Sequence, residues 1–226
     1  MTSNTQQVFP ISLGMVKAYL IKGKGNVLVD AGLPGKADAI LAGLKNHNVD
    51  PKDISLIIVS HNHTDHVGDL HRLREITGAK VAIHKNEADA LRQGKTSPVN
   101  PVSLFGKIVT KFFKNPEFKA VDPEILIEDE LDLNEFGVSG KVIHTPGHTP
   151  GSVTVLLSNG EAIVGDMFSC KNTGKGSKAT SPIFATDLKE LKETLYKLVQ
   201  LSPRVIYTSH GVSCSAEAVK ELADKL

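Results

Sequence analysis

One order of signals occurs twice along this chain, and that repetition limits the available folds more than any single motif does. Near the start, the alternating stretch Val16 to Ile21, the turn residues Gly23-Lys24-Gly25 and the run Asn26 to Val29 read as a β-hairpin that ends at Asp30. Ala37, Ile40, Leu41 and Leu44 then recur at helical spacing, and the continuous apolar run Ile54 to Val59 suits a buried strand that delivers Ser60-His61. The same order returns after residue 150. Ser152 to Leu157, the turn pair Asn159-Gly160 and Ala162 to Val164 form a second hairpin that ends at Asp166. A helix with Leu188, Leu191, Leu195, Leu198 and Val199 on one face follows, and the strand Val205 to Tyr207 leads to Ser209-His210. Two β-sheet halves packed face to face, with helices outside, satisfy this pattern. Each half then ends its strands near a common seam where Asp30, His61, Asp166 and His210 meet.

The segment between the halves divides in two. A helix after His66, with Leu70, Leu73 and Ile76 before Gly78, and a strand at Lys80 to Ile83 complete the first half. The stretch from about Glu87 to Asp122 departs from the pattern: a short helix, a break at Pro98 and Pro101, then Leu104, Phe105, Ile108, Val109, Phe112 and Phe113 at helical spacing. Two readings stay open here, an amphipathic helix on the core and a lid over the site, because long insertions in compact domains tend to be lids or binding loops. In the lid reading Phe105 and Phe112 are the candidate substrate-binding residues.

A chain of 226 residues with a 40% apolar share is expected to form one domain over 1–226, with a lid insertion at about 87–122. Its 26 Lys and Arg nearly cancel 25 Asp and Glu, so no global positive field draws it to nucleic acid. The first ten residues carry neither a basic nor an apolar targeting region, and no stretch reaches the ~18 apolar residues of a membrane span. A cytoplasmic protein acting on a small molecule, with neither nucleic acid nor membrane as partner, is the expectation. Two cysteines, Cys170 and Cys214, are too few for a disulfide framework and are expected to be free thiols. The tract Lys171 to Lys178, which includes Lys175, lacks phosphate-loop spacing and is expected to be a mobile basic loop.

The chemistry concentrates in His61-Asn62-His63-Thr64-Asp65-His66. In an extended or turning segment the first and third residues point the same way, so two imidazoles grip one ion while the carboxylate and the next imidazole face a neighbouring one. His47, His71 and His84 are expected to be surface or internally satisfied residues, and His144 to lie behind the ligands.

His-x-His-x-Asp-His resembles the signature of the metallo-β-lactamase superfamily, and that family's remaining motifs can be followed in order over nearly the whole chain. An Asp ending an early strand is matched by Asp30 in Leu-Val-Asp-Ala-Gly, and a His in a Gly-His-Thr turn by His148. An Asp closing a hairpin is matched by Asp166 in Val-Gly-Asp, and a His after a late strand by His210 in Ser-His-Gly. The resemblance implies an α/β fold, a four-layer αββα sandwich of two mixed β-sheets with helices outside. It implies that His61, His63 and His148 hold one metal, that Asp65, His66 and His210 hold a second, and that Asp166 bridges them. Two divalent transition-metal ions follow, Zn2+ first, with Fe or Mn as alternatives. Seven protein ligands for two ions leave positions open for water and substrate, as in a catalytic site. The expected activity is hydrolysis of an ester, thioester or lactone by a metal-bridging hydroxide, with Asp65 handling the proton and Asp30 orienting ligands from behind. An Asp at 166, where the best-known true β-lactamases carry Cys, disfavours antibiotic hydrolysis as more than a side activity. The chief rival is a persulfide dioxygenase-like enzyme with one iron on His61, His148 and Asp166.

Overall fold

The computed structural model describes residues 6–98, 100–102, 104, 106–108, 117–174 and 176–226. One sheet has six strands in the spatial order of the chain: β1 (Gln7–Ser12), β2 (Lys17–Lys22), β3 (Asn26–Val29), β4 (Ile54–Ile58), β5 (Lys80–His84) and β6 (Ile125–Ile127). The pairs from β1 to β3 are antiparallel and those from β3 to β6 parallel. The second sheet runs β13-β10-β9-β8-β7, built from β7 (Glu130–Asp132), β8 (Gly140–His144), β9 (Val153–Leu157), β10 (Glu161–Ile163) and β13 (Val205–Tyr207). Here only β10 and β13 are parallel.

Strand alternation sorts the apolar side chains into layers. In β2, β3 and β4 the residues Tyr19, Ile21, Val27, Val29, Leu56 and Ile58 face inward, against Val142, Val153, Val155 and Ile163 of the other sheet. Their neighbours Leu20, Leu28 and Ile57 face outward, toward α1 (Ala37–Asn46), α3 (Leu70–Thr77) and α4 (Lys85–Arg92). With both faces covered, these strands are apolar nearly throughout. The second sheet's outer face is covered by α5 (Leu188–Gln200) and α6 (Ala216–Ala223), through Leu191, Leu195, Leu198, Val219 and Leu222. Asp187 starts α5 by accepting from the Lys189 and Glu190 amides, and Ser215 starts α6 by accepting from Ala218. The result is the expected four-layer αββα sandwich.

The repeated order is realised as repeated topology. In each half an antiparallel hairpin (β2-β3, β9-β10) is followed by a helix and by a strand (β4, β13) that adds parallel to the hairpin's second strand. The halves are also stitched reciprocally. Val153 at the start of β9 donates to Ser60 O at 2.9 Å, and Lys17 at the start of β2 donates to Ser209 O at 3.1 Å. Each Ser-His corner is thus held by the opposite hairpin, so His61 and His210 face one seam.

Two expectations need correction. Cys170 and Cys214 are not free: they form a disulfide across a sequence separation of 44, with Cα atoms 6.0 Å apart. Backbone pairing brings them together, since Cys170 bridges Gly211 in parallel and Ile206 exchanges bonds with Cys214. The tract after Asp166 is also not a mobile loop, because β11 (Ser169–Asn172) and β12 (Ser177–Thr180) pair as an antiparallel hairpin; Lys175 lies outside the described residues. Strand β1 and the run β6 to β8 carry no clear sequence signal. Among the described residues no helix is long and apolar enough to cross a membrane.

Candidate metal centre

Strand ends and the turns after them supply every candidate ligand. β4 delivers His61 and His63 in the extended segment before the short helix α2 (Thr64–Val67), whose first turn carries Asp65 and His66. His148 lies in the turn between β8 and β9, Asp166 just after β10 and His210 just after β13. Gly147 allows the His148 turn to touch α5: its φ is +123°, and a Cβ there would lie 2.4 Å from Leu191 Cα.

The first cluster is three imidazoles. His61 Nε2, His63 Nδ1 and His148 Nε2 stand 3.1 to 3.2 Å from one another. Three nitrogens bound at about 2.0–2.1 Å to one tetrahedral ion lie roughly 3.3 Å apart, close to what is found. The far side of two rings fixes their tautomers. His148 Nδ1 donates to Phe184 O at 2.8 Å, and His61 Nδ1 contacts the Ser60 hydroxyl at 3.0 Å. A neutral imidazole has one N–H, so both Nε2 atoms present lone pairs to each other with no proton between them. Burial keeps both rings below the ordinary imidazole pKa and, helped by His148 and His66, takes His63 down to about 3. Converging lone pairs on uncharged, buried rings fit a cation.

The second cluster mixes imidazole with carboxylate. His210 Nε2 lies 3.1 Å from Asp166 Oδ2 and 3.4 Å from Asp65 Oδ2, while His66 Nε2 lies 3.5 Å from Asp166 Oδ1 and 3.7 Å from Asp65 Oδ2. Asp166 Oδ2 also comes within 4.0 Å of His61 Nε2, so this carboxylate stands between the clusters. Among the described residues, His66 Nε2 and Asp166 Oδ1 are buried without a hydrogen-bond partner. Buried polar atoms are nearly always satisfied, and two orphans aimed at one cluster again fit a metal. The protonation pattern opposes that of the first cluster. Burial alone would lower the His66 pKa, but Asp65, Asp166 and Asp30 outweigh it and hold it well above the ordinary value. Asp166 raises His210 to about 10. Burial pushes Asp166 and Asp65 upward, yet His210 and His66 hold Asp166 well below the carboxylate range, and His66 and His210 lower Asp65.

Asp30 occupies the place expected of an orienting residue. Its φ is +66°, a turn that Asp tolerates, and it brings the carboxylate back over the Ser60 corner. Oδ1 accepts the Ser60 amide at 2.8 Å, and Oδ2 accepts both the Ser60 hydroxyl and His66 Nδ1 at 2.8 Å. When the ring gives up its second proton, the one that stays is on Nδ1, so His66 ligates through Nε2. His210 is fixed in the same sense, Nδ1 donating to Met15 O at 2.7 Å. Ser60 is a participant the sequence reading missed, although the repeated Ser-His pair was its visible sign. The repeat has diverged here. Asp30 holds its serine, whereas Asp166 turns to the ligands and leaves Ser209 Oγ buried and, among the described residues, unpartnered.

The other histidines hold structure together. His47 stacks on Phe9, His71 pairs with Glu75, and His84 stacks on His144 while bonding Glu128 O. His144 donates to Pro150 O, supporting the turn that carries His148. In the insertion, Asn100 to Val102 are tied to residues 183–185 beside His148, through Val102 N to Ile183 O at 3.0 Å and Ala185 N to Asn100 O at 2.9 Å. Leu104 and Ile108 lie exposed on a helical segment; Phe105 and Phe112 lie outside the described residues.

Comparison with known proteins agrees with this geometry. A family model described as the metallo-beta-lactamase superfamily matches residues 11–210. A probable metallo-hydrolase of Methanocaldococcus jannaschii is 30% identical over 198 residues, 86% of each chain. A hydroxyacylglutathione hydrolase of Pelagibacter ubique is 26% identical, over 85% of this chain and 65% of its own. Among solved structures, the BLEG-1 B3 metallo-beta-lactamase superposes with a TM-score of 0.70 at 22% identity, covering 96% of this chain and 97% of its own. At that identity it is the fold that is shared.

Proposed function

The chain belongs to the metallo-beta-lactamase superfamily and is a metal-dependent hydrolase; from that premise we propose that it cleaves the carbonyl bond of a small ester, thioester or lactone. The observation that carries the reading is Asp166, one carboxylate standing between a three-histidine cluster and a mixed cluster. His61, His63 and His148 would hold one divalent ion, Zn2+ in the first instance. Asp65, His66 and His210 would hold another, with Asp166 shared. Ions bound there lower the pKa of coordinated water toward neutrality and polarise a carbonyl.

The chain's own groups supply the rest. Asp65 and Asp166 stay ionised at neutral pH, and Asp65 is the more exposed of the two. Both contacts of Asp65 use Oδ2, so Oδ1 is the atom to accept a proton and return it to the leaving group. Asp30, Ser60, Phe184 O and Met15 O fix the rings from behind, so little reorganisation is needed during reaction. The hydrolase reading also draws support from a relative that by name hydrolyses hydroxyacylglutathione. Exposed apolar side chains flank ligand segments: Met15 and Val212 beside His210, and Ile183 one residue from Phe184, which bonds His148. They favour an acyl arm on the scissile carbonyl, to which the proposed substrate-binding residues Phe105 and Phe112 would add.

The test is a chain-length series of esters, thioesters and lactones on the Zn2+-loaded protein. Each methylene buried on binding is worth about 0.8 kcal/mol, so kcat/KM should climb up to about fourfold per carbon. A Phe105→Ala/Phe112→Ala variant should flatten that slope while hydrolysing short substrates as before. Oxygen uptake on a persulfide without carbonyl hydrolysis, or β-lactams as the preferred substrates, would overturn the proposal.

A further inference from the structure

Glu87 is a carboxylate in a place where carboxylates are rarely found. It lies in the first turn of α4 on the same face as Leu91, and only 1% of it is exposed. Oε2 accepts the Asn62 amide at 3.0 Å and the Ser97 hydroxyl, and Oε1 accepts the Gly151 amide at 3.0 Å. Those two amides belong to different metal-ligand loops. Asn62 sits between His61 and His63, and Gly151 lies three residues after His148 in the same turn. One carboxyl group therefore ties together the loops that carry all three histidines of the first cluster.

The surroundings show that this tie is built. Asn62 is fully buried; its carbonyl accepts Ser97 N at 2.8 Å and Thr96 Oγ1 at 3.1 Å, and its Nδ2 donates to Lys95 O at 2.8 Å. With its amide on Glu87, both of its backbone polar groups are bonded. At the other end, a Cβ on Gly151 would lie 2.3 Å from Glu87 Cγ and 3.0 Å from Oε1. A side chain at 151 would force the carboxylate out, so the glycine makes the close approach possible.

We propose that Glu87 is a positioning residue for the three-histidine site, setting the spacing between the His61-His63 loop and the His148 turn through one buried carboxyl group. It touches none of the ligand rings and acts through the two backbone amides. The proposal rests on the metal-dependent reading of the site and makes no use of the substrate class.

The experiment titrates Co2+ into the metal-depleted full chain, with a competing chelator, and records the visible d–d absorption. Glu87→Gln keeps the shape but puts an amide donor against one of the two N–H groups. It should weaken the first ion by about 10–100-fold, as loss of supporting partners does, and change the intensity of the band. Gly151→Ala keeps the carboxylate but displaces it, and should shift affinity and spectrum in the same direction. Ser97→Ala removes only the third bond and should leave both at wild-type values. Folded variants at 87 and 151 that melt lower yet bind the first Co2+ with wild-type affinity and spectrum would reduce Glu87 to a structural residue and overturn the proposal. Should Glu87→Gln fail to fold, Gly151→Ala decides by the same criterion. Because no substrate enters the assay, failure here leaves the proposed hydrolysis to its own test.

Discussion

Replacing Asp30 with Asn changes one atom type and tests how the second cluster is prepared for metal. Asn tolerates the positive φ of +66° and fills the same volume. Its carbonyl oxygen must take the place of Oδ1 to accept the Ser60 amide at 2.8 Å, so its NH2 takes the place of Oδ2. There it can donate to the Ser60 hydroxyl, but it meets the His66 Nδ1 proton head-on. The ring escapes by moving its proton to Nε2, the atom that must be bare to ligate. Metal binding then has to reverse that tautomer and bury two opposed donors. A hydrogen bond to a charged group is worth about 1.5–3 kcal/mol, and at 1.4 kcal/mol per decade the second ion should bind about 10- to 150-fold more weakly. The first ion should bind as before, since the His61 ring still rests on Ser60. Chelator-buffered Zn2+ titration of wild type and Asp30→Asn, resolving both steps, is the assay. An unchanged second affinity would show that Asp30 does not set the His66 tautomer.

The two clusters should respond to pH in opposite ways. His210, raised to about 10, and His66, also raised, stabilise the metal-free fold below about pH 6.5, the unfolded imidazole value, and that contribution is lost as pH climbs through their folded values. His61, His63 and His148, all lowered, cost stability as pH falls below about 6.5. Second-ion affinity should therefore rise from neutral toward alkaline pH with proton release while first-ion affinity stays level, and calorimetry in two buffers showing equal proton release in both steps would contradict this. The Cys170–Cys214 disulfide closes a loop of 44 residues, worth up to about 4 kcal/mol of unfolded-state entropy. Reduction should lower the melting temperature by on the order of 10 °C, and coincident melting curves with and without reductant would show that the bond is not formed in solution. Asp166→Ala should lose both ions, whereas Asp30→Ala keeps the first; equal loss in the two variants would remove Asp166 from its bridging place.

What the sequence disclosed was what local spacing encodes. Four ligand-type residues within His61 to His66 share one strand end and one helix turn, so their convergence is written in six residues. The doubled order of hairpin, Asp, helix, strand and Ser-His reflects topology as much as composition, and it carried the layer arrangement. Of the strands that escaped notice, β6 and β7 have three residues each, and β1, β6 and β7 lie at sheet edges. β7 has two of three residues exposed and β1 has one of six buried, so alternation there is too weak to read. The disulfide joins positions whose pairing depends on β13 and the Gly211 bridge, which spacing alone does not reveal. Glu87 had a faint sign, a carboxylate four residues before Leu91 on the buried face of α4. Its meaning appears only once Asn62 and Gly151 are brought to it from opposite halves.

Seven side chains in two groups, His61, His63 and His148 with Asp65, His66, Asp166 and His210, are proposed to form a site for two ions. Elemental analysis of the reconstituted protein after removal of free metal tests this most directly. The wild type should hold two divalent ions per chain and a His210→Ala variant one. One ion or fewer per wild-type chain, under saturating Zn2+, would contradict it.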